Sequence, residues 1–233
     1  MRHSGVVRVT HWLTFVAFVA LLISGGEIVI SHPRFYWGEV GNVNTKPLFA
    51  LPIPSSRDTV PTRYNFVMPD QNGWSRYLHF EAAWLAVLAG LVYGIYGLLS
   101  GHFRQDLIPE RRDWSWRAYR DRIARYLHRK PPDRAEDRSY NVLQRTAYVA
   151  VIFVLFPLII WTGLAMSPSF TAAFPWTAAL LGGRQSARTI HFFVSWLLLF
   201  FLIVHVTMVA ISGFWRRVRA MITGSTRDSG EAP

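Results

Sequence analysis

The sequence contains no cysteine in its 233 residues. This absence excludes disulfide bonds, iron–sulfur clusters held by thiolates, and covalent c-type haem attached through a C-x-x-C-H motif. Charged residues are scarce at 17%, and the 14 acidic residues are fewer than the 25 basic ones. No internal repeat of short period is present. If the chain holds a redox centre, histidine is the strongest ligand that remains.

The sequence is rich in apolar residues, at 51%, with 10 Trp and 16 Phe. Four apolar runs are long enough to cross a bilayer, at about 9–30, 78–99, 143–166 and 189–211. A cleaved signal peptide is a poorer interpretation of the first run, which is too long and is followed by no A-x-A-like site. We therefore predict an all-α membrane protein, a four-helix up-down bundle forming one domain over 1–222, with a disordered tail at 223–233.

The distribution of Lys and Arg predicts the orientation. The connection at 101–142 carries eleven of them, whereas the connection at 31–77 carries five in 47 residues. Because positive residues are retained on the cytoplasmic side, both termini are predicted to face the cytoplasm across a bacterial inner membrane. The net charge of +11 is thus a topology signal and gives no reason to propose nucleic acid as a partner.

His191 and His205 lie fourteen residues apart in the fourth run. A step of fourteen falls roughly 40° short of four full helical turns, so both imidazoles leave the helix on nearly the same side. They are about 21 Å apart along the axis, against a hydrocarbon core of roughly 30 Å. This helix therefore offers one ligand near each membrane face.

Two further histidines match these depths. With four crossings and a cytoplasmic N-terminus, His11 falls near the inner side and His79 near the outer side. His11 therefore pairs in depth with His205, and His79 pairs with His191. Polar groups at membrane depth are costly unless they find partners inside the protein. Two b-type haems, each held by two imidazoles, explain all four histidines.

The alternatives to haem explain less. A zinc site fits poorly, because the two pairs are too far apart to share one ion and no carboxylate or thiolate completes either site. A single histidine at a helix end is often an interfacial residue or a core residue with a satisfied ring. The second ring nitrogen of each ligand needs an acceptor, for which nearby hydroxyls are Thr10, Ser195 and Thr207. The remaining histidines are predicted to be surface residues: His3, His32, His102 and His128.

The chain resembles the bacterial di-haem cytochrome b subunits that anchor formate dehydrogenase, nickel-iron hydrogenase and thiosulfate reductase-like enzymes. Four ordered motifs make this resemblance. The first two are R-x-x-H-W at Arg8, His11 and Trp12, and H-F at His79 and Phe80. The third is Q-R-x-x-Y at Gln144, Arg145 and Tyr148, followed by Pro157, Thr162 and Gly163, and the fourth is R-x-x-H-F at Arg188, His191 and Phe192, followed by His205.

The resemblance implies the same ligand pairs that depth had predicted. It also implies electron transfer between a catalytic subunit on one face and a quinone in the membrane. The expected partner is a catalytic subunit outside the cytoplasmic membrane, either molybdenum-containing or another oxidoreductase; the oligomeric state is open. In this family the quinone site would lie near the inner haem. Glu27 and Glu81, near the outer ends of the first two helices, are candidates for an outer quinone site or for pairing with Arg188; the alternative is a position at the headgroup level.

Four arginines are candidates to pair with haem propionates, namely Arg8, Arg188, Arg76 and Arg145. Arg8 and Arg188 lie one helical turn before His11 and His191, which places them first. Anchoring at the membrane interface is the alternative role for each of these arginines.

Both long connections have predicted roles. The connection at 31–77 is rich in aromatic residues and prolines, which predicts an ordered cap that covers the outer haem and docks a redox partner, or merely shields the haem from water. In the connection at 101–142, Trp116, Tyr119, Ile123 and Tyr126 follow helical spacing. They predict a basic amphipathic helix on the inner membrane surface in contact with anionic lipid.

Three functions remain in competition. The first is a quinone-linked subunit of a multisubunit oxidoreductase. The second is a self-sufficient haem enzyme that passes electrons between a small oxidant or reductant, such as superoxide, and quinone. The third, a non-redox transporter or anchor, requires four coincidental histidines.

Overall fold

The computed structural model describes residues 4–42, 44–53, 71–108, 115–128 and 141–224. Its helices in chain order are α1 (Gly5–Ser31), α2 (Gln71–Leu99), α3 (Trp116–Leu127), α4 (Val142–Ala150), α5 (Phe156–Met166), α6 (Pro168–Ala173), α7 (Trp176–Ala179), α8 (Arg184–Ile211) and α9 (Phe214–Thr223). Two π-helical turns cover Phe103–Leu107 and Val151–Leu155. Strands β1 (Arg34–Phe35) and β2 (Phe49–Ala50) pair antiparallel, with Arg34 opposite Ala50.

Four helices are long and apolar enough to cross a membrane, namely Gly5–Ser31, Gly73–Leu99, Val142–Met166 and Arg184–Ile211. The predicted class, an all-α membrane protein with four membrane-spanning helices, is confirmed. Three of the helices begin several residues earlier than predicted. Hydropathy detects only the segment inside the hydrocarbon core, whereas a helix of 28 residues is about 42 Å long and extends beyond a core of roughly 30 Å.

The third membrane helix is continuous but not regular. Asn141 begins it with a capping box, in which its side chain accepts the Gln144 N–H while the Gln144 side chain accepts the Asn141 N–H. The π-helical turn Val151–Leu155 ends two residues before Pro157. Proline lacks an N–H and its ring clashes with the preceding turn of a regular helix. The wider π-helical turn accommodates this proline without ending the helix.

The described chain divides into two compact units. The first comprises Met1–Thr10, Leu91–Phe156 and Leu197–Pro233, and the second comprises His11–Gly90 and Pro157–Trp196. The predicted single domain over 1–222 stays a prediction. The predicted tail begins at the last residue of a helix, since α9 ends at Thr223 with Gly224 as its C-cap, while residues 225–233 lie outside the described residues.

In the second unit, the connection after α1 caps the N-terminus of α8. The first N–H groups of a helix have no partner within the helix. The Gly38 carbonyl accepts the N–H groups of Gln185 (3.0 Å) and Ser186 (3.2 Å), and the Glu39 carboxylate accepts the Arg184 N–H at 2.8 Å. A Cβ on Gly183 would lie 2.5 Å from the Gly38 carbonyl carbon, so only glycine permits this approach.

The same contact fixes the charge state of Glu39. The backbone N–H of Arg184, and then its guanidinium, hold the pKa of Glu39 below its usual range. A carboxylate at a helix N-terminus also interacts favourably with the helix dipole. This part of the connection at 31–77 is therefore ordered and attached to α8. Residues 54–70 of the predicted cap lie outside the described residues.

In the first unit, the predicted helix of the 101–142 connection is found as α3. It is joined to α4 by a hydrogen bond of 2.8 Å between the hydroxyls of Tyr119 and Thr146. The ring of Phe103, in the first π-helical turn, packs edge-on against Phe153, in the second, at a centroid distance of 5.0 Å. Contact between α3 and a lipid surface stays a prediction.

Candidate functional site

His79 on α2 and His191 on α8 lie together in the second unit. Their ring centroids are 6.3 Å apart and their planes differ by 56°. These two histidines were predicted to pair at the outer side from their depths alone. The structure brings them together although they are far apart in the sequence.

Ser24 on α1 fixes the protonation of His79. The Ser24 hydroxyl lies 3.0 Å from His79 Nδ1, and it donates its own hydrogen to the Ala20 carbonyl at 2.7 Å. Because that hydrogen is committed, the serine oxygen accepts the Nδ1–H of His79. Nε2 then carries the lone pair, which is the form of histidine that ligates a metal.

Thr162 on α5 does the same for His191. Its hydroxyl lies 2.9 Å from His191 Nδ1 and donates its hydrogen to the Leu158 carbonyl at 2.9 Å. Thr162 and Ser24 are both fully buried, at 0% exposure. Both histidines therefore present Nε2 as the free electron-pair donor, held by hydroxyls from two different membrane helices.

A glycine follows each of these hydroxyl residues. A Cβ added to Gly25 would lie 3.6 Å from His79 Cε1, and a Cβ added to Gly163 would lie 3.6 Å from His191 Cε1. That distance is ordinary van der Waals contact, so any larger side chain would press on the imidazole. The two dipeptides, Ser24–Gly25 and Thr162–Gly163, hold the two rings in the same way.

The geometry fits a cofactor whose metal is held between two imidazoles. Two metal–nitrogen bonds of about 2 Å, added to the radii of two five-membered rings, place the ring centroids about 6 Å apart. Among the described residues, no group of three or more His, Cys, Asp or Glu side chains is placed to hold a metal ion. A haem iron needs only two axial protein ligands, because the macrocycle supplies the other four. The pair thus suits haem better than zinc.

His11 and His205 belong to different units, and their pairing stays a prediction. In the first unit, the ring of His205 stacks on Phe201 at a centroid distance of 5.8 Å and lies 6.3 Å from Tyr148. In the second unit, His11 meets the ring of Trp12 edge-on at 5.4 Å. Both histidines are half-buried.

The predicted propionate arginines have identifiable contacts. In the second unit, Arg188 donates to the His32 carbonyl, and its guanidinium lies 5.0 Å above the centre of the Phe35 ring. Arg188 also lines a cavity of about 240 Å³ with Glu39 and Met166. Arg76 is exposed on α2.

In the first unit, the two other arginines contact main-chain carbonyls. Arg8 donates to the Ile222 carbonyl at 2.8 Å, and Arg145 donates to the Ile108 carbonyl at 3.1 Å. Both arginines thus tie together segments that are distant in the sequence.

The structure also describes the remaining residues that the sequence singled out, a histidine and two acidic residues. His102 lies among the rings of Tyr93, Tyr96 and Phe103, so it is part of an aromatic cluster rather than a plain surface residue. Glu27 is half-buried and Glu81 is exposed. His3 lies outside the described residues.

Sequence reasoning missed the hydroxyl partners. Thr10, Ser195 and Thr207 were chosen because they neighbour the ligands in sequence, and their roles stay predictions. Thr10 and Ser195 donate to carbonyls of their own helices, as Ser24 and Thr162 do. For His79 and His191 the partners come from other helices. The repeated dipeptide of a hydroxyl residue and a glycine, inside two apolar runs, was the signal available.

Four helices long enough to cross a membrane, with two histidine rings 6.3 Å apart, are typical of a membrane cytochrome. A family model described as prokaryotic cytochrome b561 matches residues 2–224, and the chain belongs to this family. It is therefore a multi-pass membrane protein that carries electrons through b-type haem.

Two relatives of the chain belong to larger enzymes by name. One, from Azospira oryzae, is named putative protein-methionine-sulfoxide reductase subunit YedZ1; it is 32% identical over 227 residues, which cover 95% of this chain and 96% of the relative. The other, from Cupriavidus necator, is named probable Ni/Fe-hydrogenase B-type cytochrome subunit; it is 26% identical over 216 residues, which cover 88% and 76% of the two chains.

Proposed function

We propose that the chain binds two b-type haems, an outer one between His79 and His191 and an inner one between His11 and His205. The hydroxyls of Ser24 and Thr162 support the outer pair, because they leave Nε2 of both rings unprotonated. When bound, the haems supply reversible one-electron transfer without an open coordination position. The proposal rests mainly on these two hydrogen bonds, which favour the tautomer with a hydrogen on Nδ1 in both rings.

Side chains of the protein orient each proposed haem and neutralise the negative charge of its propionates. Three of the four proposed ligands follow an arginine by three residues, at Arg8, Arg76 and Arg188. On a helix this spacing places each guanidinium one turn from the imidazole, where it can pair with a propionate. Arg145 is the fourth candidate. Side chains larger than alanine at Gly25 or Gly163 would press on the rings of His79 and His191.

Electrons pass, in this proposal, between the quinone pool and a redox partner subunit on the outer side of a bacterial inner membrane. The relative of 32% identity is named a reductase subunit, which supports flow from quinol through the inner haem and then the outer haem to the partner. A catalytic partner, either molybdenum-containing or another oxidoreductase, then consumes the electrons. In the predicted orientation, the connection that caps α8 faces the proposed partner.

Haem quantitation and alanine variants test the proposal. We expect two haems per chain in the purified protein by pyridine haemochrome assay, and loss of one haem in His191→Ala or in His205→Ala. His128→Ala is the control, since His128 is exposed at the end of α3. A colourless protein, or a His205→Ala variant whose spectrum shows both haems unchanged, would rule out the proposed ligand set.

Copurification tests whether the chain has a redox partner subunit. A subunit that stays bound after mild detergent extraction, and that is reduced when quinol is added, supports the proposed role. If the isolated chain alone transfers electrons between superoxide and quinone at a steady rate, the self-sufficient enzyme is the correct alternative.

A further inference from the structure

The last helix, α9, has an apolar face directed away from its own unit. Helical spacing places Phe214, Trp215, Val218 and Ile222 along one side. Trp215 is 81% exposed and Ile222 is 61% exposed. Ala220, on the opposite side, is 1% exposed, so α9 packs against its unit through that side.

The position of α9 places it at the membrane surface. α8, which crosses the membrane, ends at Ile211, and α9 begins at Phe214. The two residues between them span at most about 7 Å. Gly213 turns the chain with a φ of +99°. The first residue of α9 therefore lies close to the end of a membrane helix.

Contacts with Arg8 hold the far end of α9. Arg8 donates a hydrogen bond of 2.8 Å to the carbonyl of Ile222, in the last turn of α9. A Cβ added to Gly224, which ends the helix, would lie 3.0 Å from the guanidinium of Arg8. The helix is thus fixed at both ends, and the direction of its apolar face is fixed with it.

The charge of α9 matches an anionic surface. The helix carries Arg216, Arg217 and Arg219 and no acidic residue. Arginines on the border of an apolar face are typical of helices that lie in the interface plane of a membrane with anionic lipids.

We propose that α9 is an interfacial helix, whose apolar face inserts among the lipids of the leaflet where α8 ends and whose arginines contact anionic headgroups. The occupant of the exposed face is the bilayer itself. This role is separate from electron transfer and does not depend on the number of haems.

Site-directed spin labelling tests the immersion of α9. Because the sequence has no cysteine, a single introduced cysteine takes the only label. Trp215→Cys and Ile222→Cys report the apolar face, and Arg216→Cys is the matched control on another side. The full chain is placed in vesicles of phosphatidylethanolamine and phosphatidylglycerol, and the accessibility of each nitroxide to oxygen and to a water-soluble nickel chelate is measured.

We expect the labels at 215 and 222 to favour oxygen and the label at 216 to favour the nickel chelate. Equal preference at all three positions would overturn the proposal. Labels at 215 and 222 that are shielded from both reagents would also overturn it, because a second copy or another protein would then cover the face.

A second measurement tests the headgroup contact. The double variant Arg216→Gln/Arg219→Gln should retain fewer phosphatidylglycerol molecules per chain after purification than the unmodified protein. Lys46→Gln, a change of charge in the connection after α1, should not alter this number. Unchanged retention in the double variant would contradict the part of the proposal that concerns anionic lipid.

Discussion

Ser24 and Thr162 are the residues on which the outer site depends most, apart from the histidines themselves. Each hydroxyl accepts a hydrogen from an imidazole and donates its own hydrogen to a carbonyl one turn earlier in its helix. A buried hydroxyl with both functions occupied holds the ring in one tautomer and one orientation. Alanine or valine at either position removes this restraint without changing a ligand.

Thr162→Val keeps the shape of the side chain and removes the hydrogen-bond acceptor of His191. We expect haem binding at the outer site to weaken about 10- to 100-fold, measured by titrating haem into the detergent-solubilised apoprotein. The midpoint potential of the haem that remains should rise, because a less basic imidazole stabilises the oxidised iron less.

Thr171→Val is the control for this change, since the Thr171 hydroxyl donates to the Ser167 carbonyl within its own short helix. The control should bind haem as the unmodified protein does. Equal affinity in Thr162→Val and the unmodified chain would show that the hydroxyl does not restrain the ligand.

At the level of elements, the N-terminus of α8 is stabilised by the connection between α1 and α2, which caps its first N–H groups. Glu39→Gln keeps an acceptor for the Arg184 N–H but removes the charge. We expect a loss of about 0.5–1 kcal/mol in the free energy of unfolding at neutral pH, measured by thermal unfolding followed by circular dichroism. Asp121→Asn, which removes an exposed carboxylate paired only with its neighbour Arg120, should change stability less.

The loss of stability caused by Glu39→Gln should become smaller as the pH falls. The pKa of Glu39 is lowered from its usual 4.5, first by the Arg184 N–H. Its contribution is therefore fully present above about pH 4.5 and is lost as the pH falls through the lower pKa of the folded state. The difference in stability between the two proteins should shrink in acid, and a difference that grew there would contradict the assignment.

The elements show how far the sequence could predict the structure. Hydropathy located four membrane helices to within several residues at their ends, and depth matching paired His79 with His191. Contacts between distant segments were not predictable, because periodicity describes one helix at a time. The hydroxyls on other helices, the cap formed by Gly38 and Glu39, and the contact of Arg8 with α9 all belong to that class. α9 was missed because a short, arginine-rich segment resembles a polar tail by composition.

At the scale of the whole molecule, the charge asymmetry of the connections predicts the orientation in the membrane. Lys46→Cys and Asp121→Cys place single cysteines in the two long connections, at exposed positions. In intact cells of a bacterial host, a membrane-impermeant maleimide should label position 46 and leave position 121 unlabelled. Inverted membrane vesicles should give the reverse result.

The reverse pattern in intact cells would place both termini outside, in conflict with the excess of arginine in the 101–142 connection. It would also exchange the leaflets assigned to the two histidine pairs. The order in which electrons pass the two proposed haems would then have to be reversed as well.

The hydrogen bonds around His79 and His191 determine whether these rings can take up a proton when a metal is bound. Neither ring has a site left for an additional proton once Nε2 binds a metal, because Nδ1 already gives its hydrogen to a hydroxyl that is itself committed to a carbonyl. A haem held by these two residues would therefore be oxidised and reduced without proton transfer to or from its ligands. If the proposed function is correct, proton uptake or release during turnover occurs at the proposed quinone site and not at His79 and His191, so electron transfer and proton transfer are separated in space.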